Sequence, residues 1–106
     1  MAVLTIEIFA NAPDTDPDPS DTVVCTLADL FTLTLATSEE CAHGPVHLLT
    51  FDVVPALPVM VTATCLASDG ETATDAVAAL LSPTLADTVT GWTLHAGHTH
   101  VHHADN

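Results

Sequence analysis

The stretch VMVTATCLASDGETATDAVAALL, residues 59–81, combines a strand pattern with a helix pattern. Residues 59–66 alternate between two faces, one of which carries Val59, Val61, Ala63 and Cys65. Such alternation is typical of a strand with one buried face. Residues 72–81 instead repeat apolar side chains at helical spacing, namely Ala73, Ala76, Val77, Leu80 and Leu81. The stretch therefore predicts a strand, a turn at Ser68-Asp69-Gly70 and a helix.

The predicted helix has a start signal and a stop signal. Thr72 and Asp75 are three residues apart, as in the capping box that begins many helices. Ser82-Pro83 follows the last apolar residue, and proline disrupts a helix because it has no N–H to donate. We therefore expect the helix to end or kink at Ser82-Pro83.

The residues on the N-terminal side of this stretch predict two further strands. In 44–54, apolar side chains are interleaved at Val46, Leu48 and Phe51. The turn at 55–58 contains two prolines, so 44–54 and 59–66 are expected to form a hairpin. Val3–Ala10, near the N-terminus, is also predicted to be a strand. Its apolar side chains alternate, so that Leu4, Ile6 and Ile8 share a face.

Residues 22–38 fit both a helix and strands. One helical face would carry Val24, Leu27, Ala28, Phe31 and Leu35, with Ser20 or Asp21 as the N-cap. The run 31–35, FTLTL, alternates as a strand does. We favour a helix, because the segment is long and contains no helix breaker. Two strands in an all-β sandwich, pinned by a Cys25–Cys65 bridge, are the alternative.

The C-terminal residues predict a last strand and complete the fold prediction. Residues 88–94 alternate, and we expect the strand to continue past a bulge at Gly97 to His102. The order β-α-β-β-α-β is that of the ferredoxin-like split βαβ arrangement. It predicts an α+β fold in which two helices cover one face of a four-stranded antiparallel sheet. Residues 1–106 would form a single domain, with a Pro/Asp-rich linker at 11–21 and a His-rich segment at 95–106.

The charge of the chain excludes several classes of partner. It has 14 acidic residues and neither lysine nor arginine, which gives a formal net charge of -14. We expect no nucleic-acid binding, because no Lys or Arg can neutralise phosphate. An anionic membrane would repel the chain, whereas a basic protein partner would attract it. Self-repulsion further predicts that added salt stabilises the fold.

The unusual composition leaves several origins and roles open. Tyrosine and glutamine are also absent, so the chain could be engineered from a reduced alphabet with no evolved functional site. High-salt adaptation is another account. A third is a secreted effector that resists trypsin-like proteases, or an acidic mimic that blocks a basic protein. We see neither a signal peptide at 1–5 nor an apolar run of about 20 residues that could span a membrane.

The strongest chemical signal is a run of histidines near the C-terminus. Five of the seven histidines of the chain lie in 95–103. In an extended strand, His98, His100 and His102 point to one face, with neighbours about 7 Å apart. Imidazole nitrogens suit zinc, copper and nickel. The alternative is a polar surface with no evolved metal role. Protonation of all seven histidines would also move the net charge towards about -7, which predicts association or compaction near pH 5 to 6.

The sequence predicts a metal site in preference to an enzyme. The candidate ligands are His98, His100 and His102, then His95 and His43; His43 would join them if the last strand lay alongside 44–54. The three cysteines, Cys25, Cys41 and Cys65, cannot form a complete disulfide framework, and we favour buried thiols. No nucleophile elbow or phosphate loop is present in the sequence. We therefore predict a non-enzymatic binding or assembly protein that could form homo-oligomers.

Overall fold

The predicted fold class is confirmed by a computed structural model, which describes residues 2–15, 19–39 and 46–102. The elements are β1 (Ala2–Asn11), α1 (Asp21–Glu39), β2 (His47–Val54), β3 (Val59–Ala67), α2 (Gly70–Thr88) and β4 (Thr93–His102). The strands form one antiparallel sheet in the order β2-β3-β1-β4. The chain therefore has a ferredoxin-like α+β fold, with β2 and β4 at the two edges of the sheet.

The core lies between the two helices and one face of this sheet. β1 and β3 are the central strands, and every second side chain in each of them is buried. The helices contribute the rest of the core, and its largest fully buried members are Phe31, Leu35, Leu27, Leu81 and Val77. Burial of these apolar groups is the main force that holds the helices on the sheet. Neither of the two described helices packs on the opposite face of the sheet.

Helix α1 settles the ambiguity of residues 22–38 in favour of a helix. Phe31 and Leu35 are fully buried, whereas Leu33 is 63% exposed, as helical spacing requires. The Oγ of Ser20 accepts a hydrogen bond from the N–H of Val23 at 3.3 Å, so Ser20 is the N-cap. Threonine hydroxyls inside α1 donate to carbonyls four residues earlier, which gives these β-branched residues a polar partner within the helix.

Helix α2 is longer than the predicted 72–81. It begins after Asp69, whose Oδ1 accepts a hydrogen bond from the N–H of Thr72 at 2.7 Å. Asp69 is therefore the N-cap in place of the Thr72 capping box. The helix runs through Pro83 to Thr88, so the prediction that it ends at Ser82-Pro83 is wrong, and the alternative of a kink stays a prediction. Leu85 continues the buried stripe beyond Pro83, and burial of this side chain offsets the hydrogen bond that proline cannot make.

The longer helix also moves the start of the last strand. β4 begins at Thr93 rather than at the predicted residue 88. At the other end of the chain, β1 includes Asn11 and α1 includes Asp21, so the predicted linker 11–21 shortens to the residues between them. Its residues 16–18 lie outside the described ranges. Neither described helix is long and apolar enough to cross a membrane.

Two register shifts, one between β1 and β4 and one between β2 and β3, determine which side chains of the edge strands face the helices. In β4, Gly97 and His98 lie opposite the single residue Glu7, because Ile6 pairs with Thr99 and Ile8 with Ala96. This confirms the predicted bulge at Gly97. The β2–β3 register also shifts between Leu48 and Thr50, which explains the irregular interleaving of apolar residues in 44–54.

The two described cysteines are both free thiols. Cys65 is fully buried in β3, as predicted, and burial raises the pKa of its thiol to about 11. Cys25 is exposed on α1, so the expectation of a buried thiol is wrong there. The Cys25–Cys65 bridge of the all-β alternative is not formed. Cys41 lies outside the described residues.

Candidate metal-binding face

The side of the sheet that the helices leave uncovered is called the open face below. Cross-strand partners point to the same side of a sheet, so the register assigns each residue to one side. The β1 residues on the open face are Val3, Thr5, Glu7, Phe9 and Asn11. Their partners in β3 are Leu66, Thr64, Thr62 and Met60. In β2, the open face carries His47, Thr50, Asp52 and Val54.

Four of the predicted ligands lie on the open face of β4. His102 pairs with Val3, His100 with Thr5 and His95 with Phe9. His98 is two residues before His100 and lies beside Glu7, whose Oε1 accepts a hydrogen bond from the His98 N–H at 3.0 Å. All four histidines are exposed. The structure therefore gathers one row of imidazoles along an edge strand.

The Gly97 bulge is what brings His95 into this row. His95 and His98 are an odd number of residues apart, so in a regular strand they would point to opposite sides. The extra residue at the bulge reverses the alternation, and His95 returns to the open face. The sequence pattern placed His98, His100 and His102 together. The sequence analysis did not predict that His95 faces the same side as these three, although the predicted bulge at Gly97 implies it.

The rings of His100 and His102 form the closest pair in the row. Their centroids are 4.7 Å apart, and the ring planes are nearly perpendicular. The Nε2 of His102 lies 2.6 Å from Thr5 Oγ1, which is also 3.0 Å from Thr64 Oγ1. A hydrogen bond at one imidazole nitrogen orients the ring and presents the other nitrogen to a ligand. Thr5, which is itself hydrogen-bonded to Thr64, therefore orients the ring of His102.

The other predicted ligands are farther away or not described. His95 is held by a hydrogen bond between its Nε2 and Thr93 Oγ1 at 2.9 Å. His43 lies outside the described residues, and β2, the strand that follows it, is at the opposite sheet edge from β4. The last strand thus does not lie alongside 44–54. His47 shares the open face but is three strand spacings from β4, about 14 Å.

The described residues do not converge on a complete set of metal ligands. Within residues 2–15, 19–39 and 46–102, no group of three or more His, Cys, Asp or Glu side chains could hold one ion. The spacing along β4 explains this, since residues two apart are separated by about 7 Å. The His100 and His102 rings, with centroids 4.7 Å apart, are a pair of imidazoles and not a group of three.

The open face is also the least acidic side of the described structure. Glu7 and Asp52 are the only acidic residues that the register places on it. The other described acids lie on helices or connections, for example Asp29 on α1 and Asp75 on α2. The pKa of Asp69 is lowered by its hydrogen bonds with Thr72. Most of the described acidic side chains therefore lie away from the open face.

A groove of about 690 Å³ lies between the end of α2 and the start of β4. Trp92, Leu85 and Val89 are among the residues that line it, and none of its lining residues has an ionisable side chain. Acid–base catalysis needs a titratable group at the reacting atoms. This groove can therefore hold an apolar group but offers no acid–base or metal chemistry.

Comparisons of the chain with family models, with curated proteins and with solved structures give no match.

Proposed function

We propose that this chain is a non-enzymatic binding and assembly protein that takes a divalent transition metal on the open face. Zinc, copper and nickel are the ions whose ligand preferences suit imidazole. His100 and His102 are the primary ligands, and His95 and His98 lie in the same row. The observation that carries the proposal is the 4.7 Å separation of the His100 and His102 rings on an exposed strand.

The pair has the geometry that two metal–imidazole bonds need after a small adjustment. Zinc–nitrogen bonds are about 2.0–2.1 Å long, so two ligand nitrogens on one ion lie a little over 3 Å apart. Both rings are exposed and can rotate about their χ angles without disturbing the core. Thr5 already holds one nitrogen of His102, which supports metal binding at its other nitrogen.

The net charge of the chain favours the binding of cations in general. The net charge of -14 creates a negative potential that raises the local concentration of cations. No lysine or arginine can compete for the site. Glu7 is the nearest acidic side chain that the register identifies, and its hydrogen bond to the His98 backbone fixes the bulge beside the row. General attraction and local ligands therefore act together.

The same charge supports the proposed choice of macromolecular partners. Nucleic acids and anionic membranes would be repelled, because the chain has no Lys or Arg to contact phosphate. A basic protein could bind the acidic helices instead, and a second copy could bind at the less acidic open face. Catalysis is not part of the proposal, which rests on the arrangement of the His100 and His102 rings.

Isothermal titration calorimetry with Zn²⁺ and Ni²⁺ tests the metal site. We expect His100→Ala and His102→Ala to weaken binding at least about tenfold, the size of effect typical when part of a metal site is lost. His47→Ala is the matched control, because His47 is exposed on the same face but at the other edge. Binding that is unchanged in the His100→Ala/His102→Ala double variant would make the row a polar surface with no metal role.

A further inference from the structure

The His100–His102 pair leaves two positions of a tetrahedral ion unfilled. Structural zinc sites are almost always four-coordinate, and two imidazoles supply half of that number. In the part of the chain that the structure describes, no third His, Cys, Asp or Glu converges on the pair. Water could fill the remaining positions, but an equivalent pair from another molecule would complete a site made only of protein ligands.

The position of the pair lets a second molecule reach it. β4 is an edge strand, and His100 and His102 are exposed near its C-terminal end. The helices lie on the other side of the sheet, so they do not cover this part of the open face. Two copies related by a two-fold axis can therefore present the same pair to one ion from opposite sides.

The distribution of charge favours contact between copies through the half of the open face that β1 and β4 form. Two chains with a net charge of -14 repel each other through any approach that brings their acidic helices together. Among the described residues, the half of the open face formed by β1 and β4 carries one acidic side chain, Glu7, and apolar side chains at Val3 and Phe9. A divalent ion at the interface adds positive charge between the two molecules. This half of the open face is thus the surface on which a second copy meets the least repulsion.

We propose that two copies of this chain pair through the β4 side of the open face and hold one divalent ion between the His100–His102 pairs of both molecules. This inference rests on the proposed function and adds its partner and stoichiometry. The metal-free chain is monomeric, because self-repulsion is not offset. The metal-loaded form contains one ion per two chains, held by four imidazoles.

Sedimentation velocity on untagged protein, titrated with Zn²⁺, tests this pairing. We expect the mass of one chain without metal, twice that mass at half an equivalent of Zn²⁺, and a return to one chain on adding chelator. A large excess of Zn²⁺ should also separate the copies, because each pair then binds its own ion. His100→Ala and His102→Ala should stay monomeric throughout, whereas His47→Ala should behave as the unmodified chain does.

Calorimetry and sedimentation together distinguish failure of the metal site from failure of the pairing of two copies. If calorimetry shows Zn²⁺ bound through His100 and His102 but the mass stays that of one chain, the pairing is wrong and the metal site stands. If neither Zn²⁺ nor Ni²⁺ binds, both proposals are wrong. Doubling of the mass without metal, or in the His100→Ala/His102→Ala variant, would show an interface that does not depend on these ligands and would overturn the pairing.

Discussion

Cys65 lies in β3 with its side chain fully buried, and this burial raises the pKa of its thiol to about 11. In the unfolded chain the thiol returns to its ordinary value near 9.0. Between these two values the unfolded state has lost the proton and the folded state still holds it. The contribution of the Cys65 thiol to the free energy of unfolding is therefore fully present below about pH 9 and is lost as the pH rises towards 11.

The composition makes this effect unusually easy to assign. The chain has no lysine, arginine or tyrosine, so none of these side chains adds to a change of stability at alkaline pH. We predict that the free energy of unfolding, measured with urea, falls as the pH rises from about 9 towards 11 and that Cys65→Ala flattens the fall. Cys25→Ala is the control, because Cys25 is exposed and its variant should keep the original profile. An equally steep fall in Cys65→Ala would contradict this explanation.

Alanine substitutions of Leu33 and Leu35 test whether residues 31–35 are helical, because the two leucines differ in burial. Leu35 is fully buried and Leu33 is 63% exposed, although both would face the same side of a strand. We predict that Leu35→Ala lowers the free energy of unfolding by about 2–5 kcal/mol. Leu33→Ala should change it by less than about 0.5 kcal/mol. Similar losses in the two variants, measured by urea denaturation, would favour the strand alternative for 31–35.

At the scale of the elements, the spacing of apolar residues predicted the strands and helices whose side chains alternate between buried and exposed faces. The alternation in 3–10 and 59–66 predicted β1 and β3, and length without a breaker predicted α1. The end of α2 was missed because Pro83 is a local stop signal, whereas burial of Leu85 is a tertiary effect. Asp69 was missed as the N-cap because Thr72 and Asp75 also fit a capping box.

The bulge in β4 is the element on which the histidine row depends. A Cβ atom on Gly97 would clash with the ring of Phe9 and lie close to the Glu7 side chain. We predict that Gly97→Ala lowers the free energy of unfolding by about 1–3 kcal/mol through this crowding.

The clash can be separated from other effects of the substitution with a double-mutant cycle. In a Phe9→Ala background, where the ring is gone, the cost of Gly97→Ala should be smaller. The measurement is urea denaturation of the four chains. Strictly additive losses would show that the Phe9 ring is not what requires glycine at this position.

At the scale of the whole molecule, charge dominates the expected solution behaviour. The 14 acidic residues have no lysine or arginine partners, so their repulsion opposes the compact state. We predict that the thermal midpoint rises as NaCl increases from low concentration to about 1 M, where the screening length is near 3 Å. The double variant Glu71→Gln/Asp75→Asn removes two charges from α2 and should show a weaker response. A midpoint that is flat or falls with salt would contradict this account.

The fold of the whole molecule was easier to predict than its site. Six elements in the order β-α-β-β-α-β determine a small set of topologies, and the ferredoxin-like arrangement is one of them. The site depends on register, which places His100 and His102 against Thr5 and Val3. It also depends on strand order, which separates His47 from the row. Neither pairing nor order follows from the spacing of histidines along the chain.

The most direct test of the metal site is NMR of the chain with ¹⁵N-labelled histidine rings, titrated with diamagnetic Zn²⁺. Ring signals report each imidazole separately, so the four histidines of β4 can be compared with His47 on the same open face. We predict that the His100 and His102 signals shift first and furthest, that His47 stays unchanged, and that chelator reverses the shifts. Equal small shifts at every histidine, or none at His100 and His102, would contradict a metal site on this face.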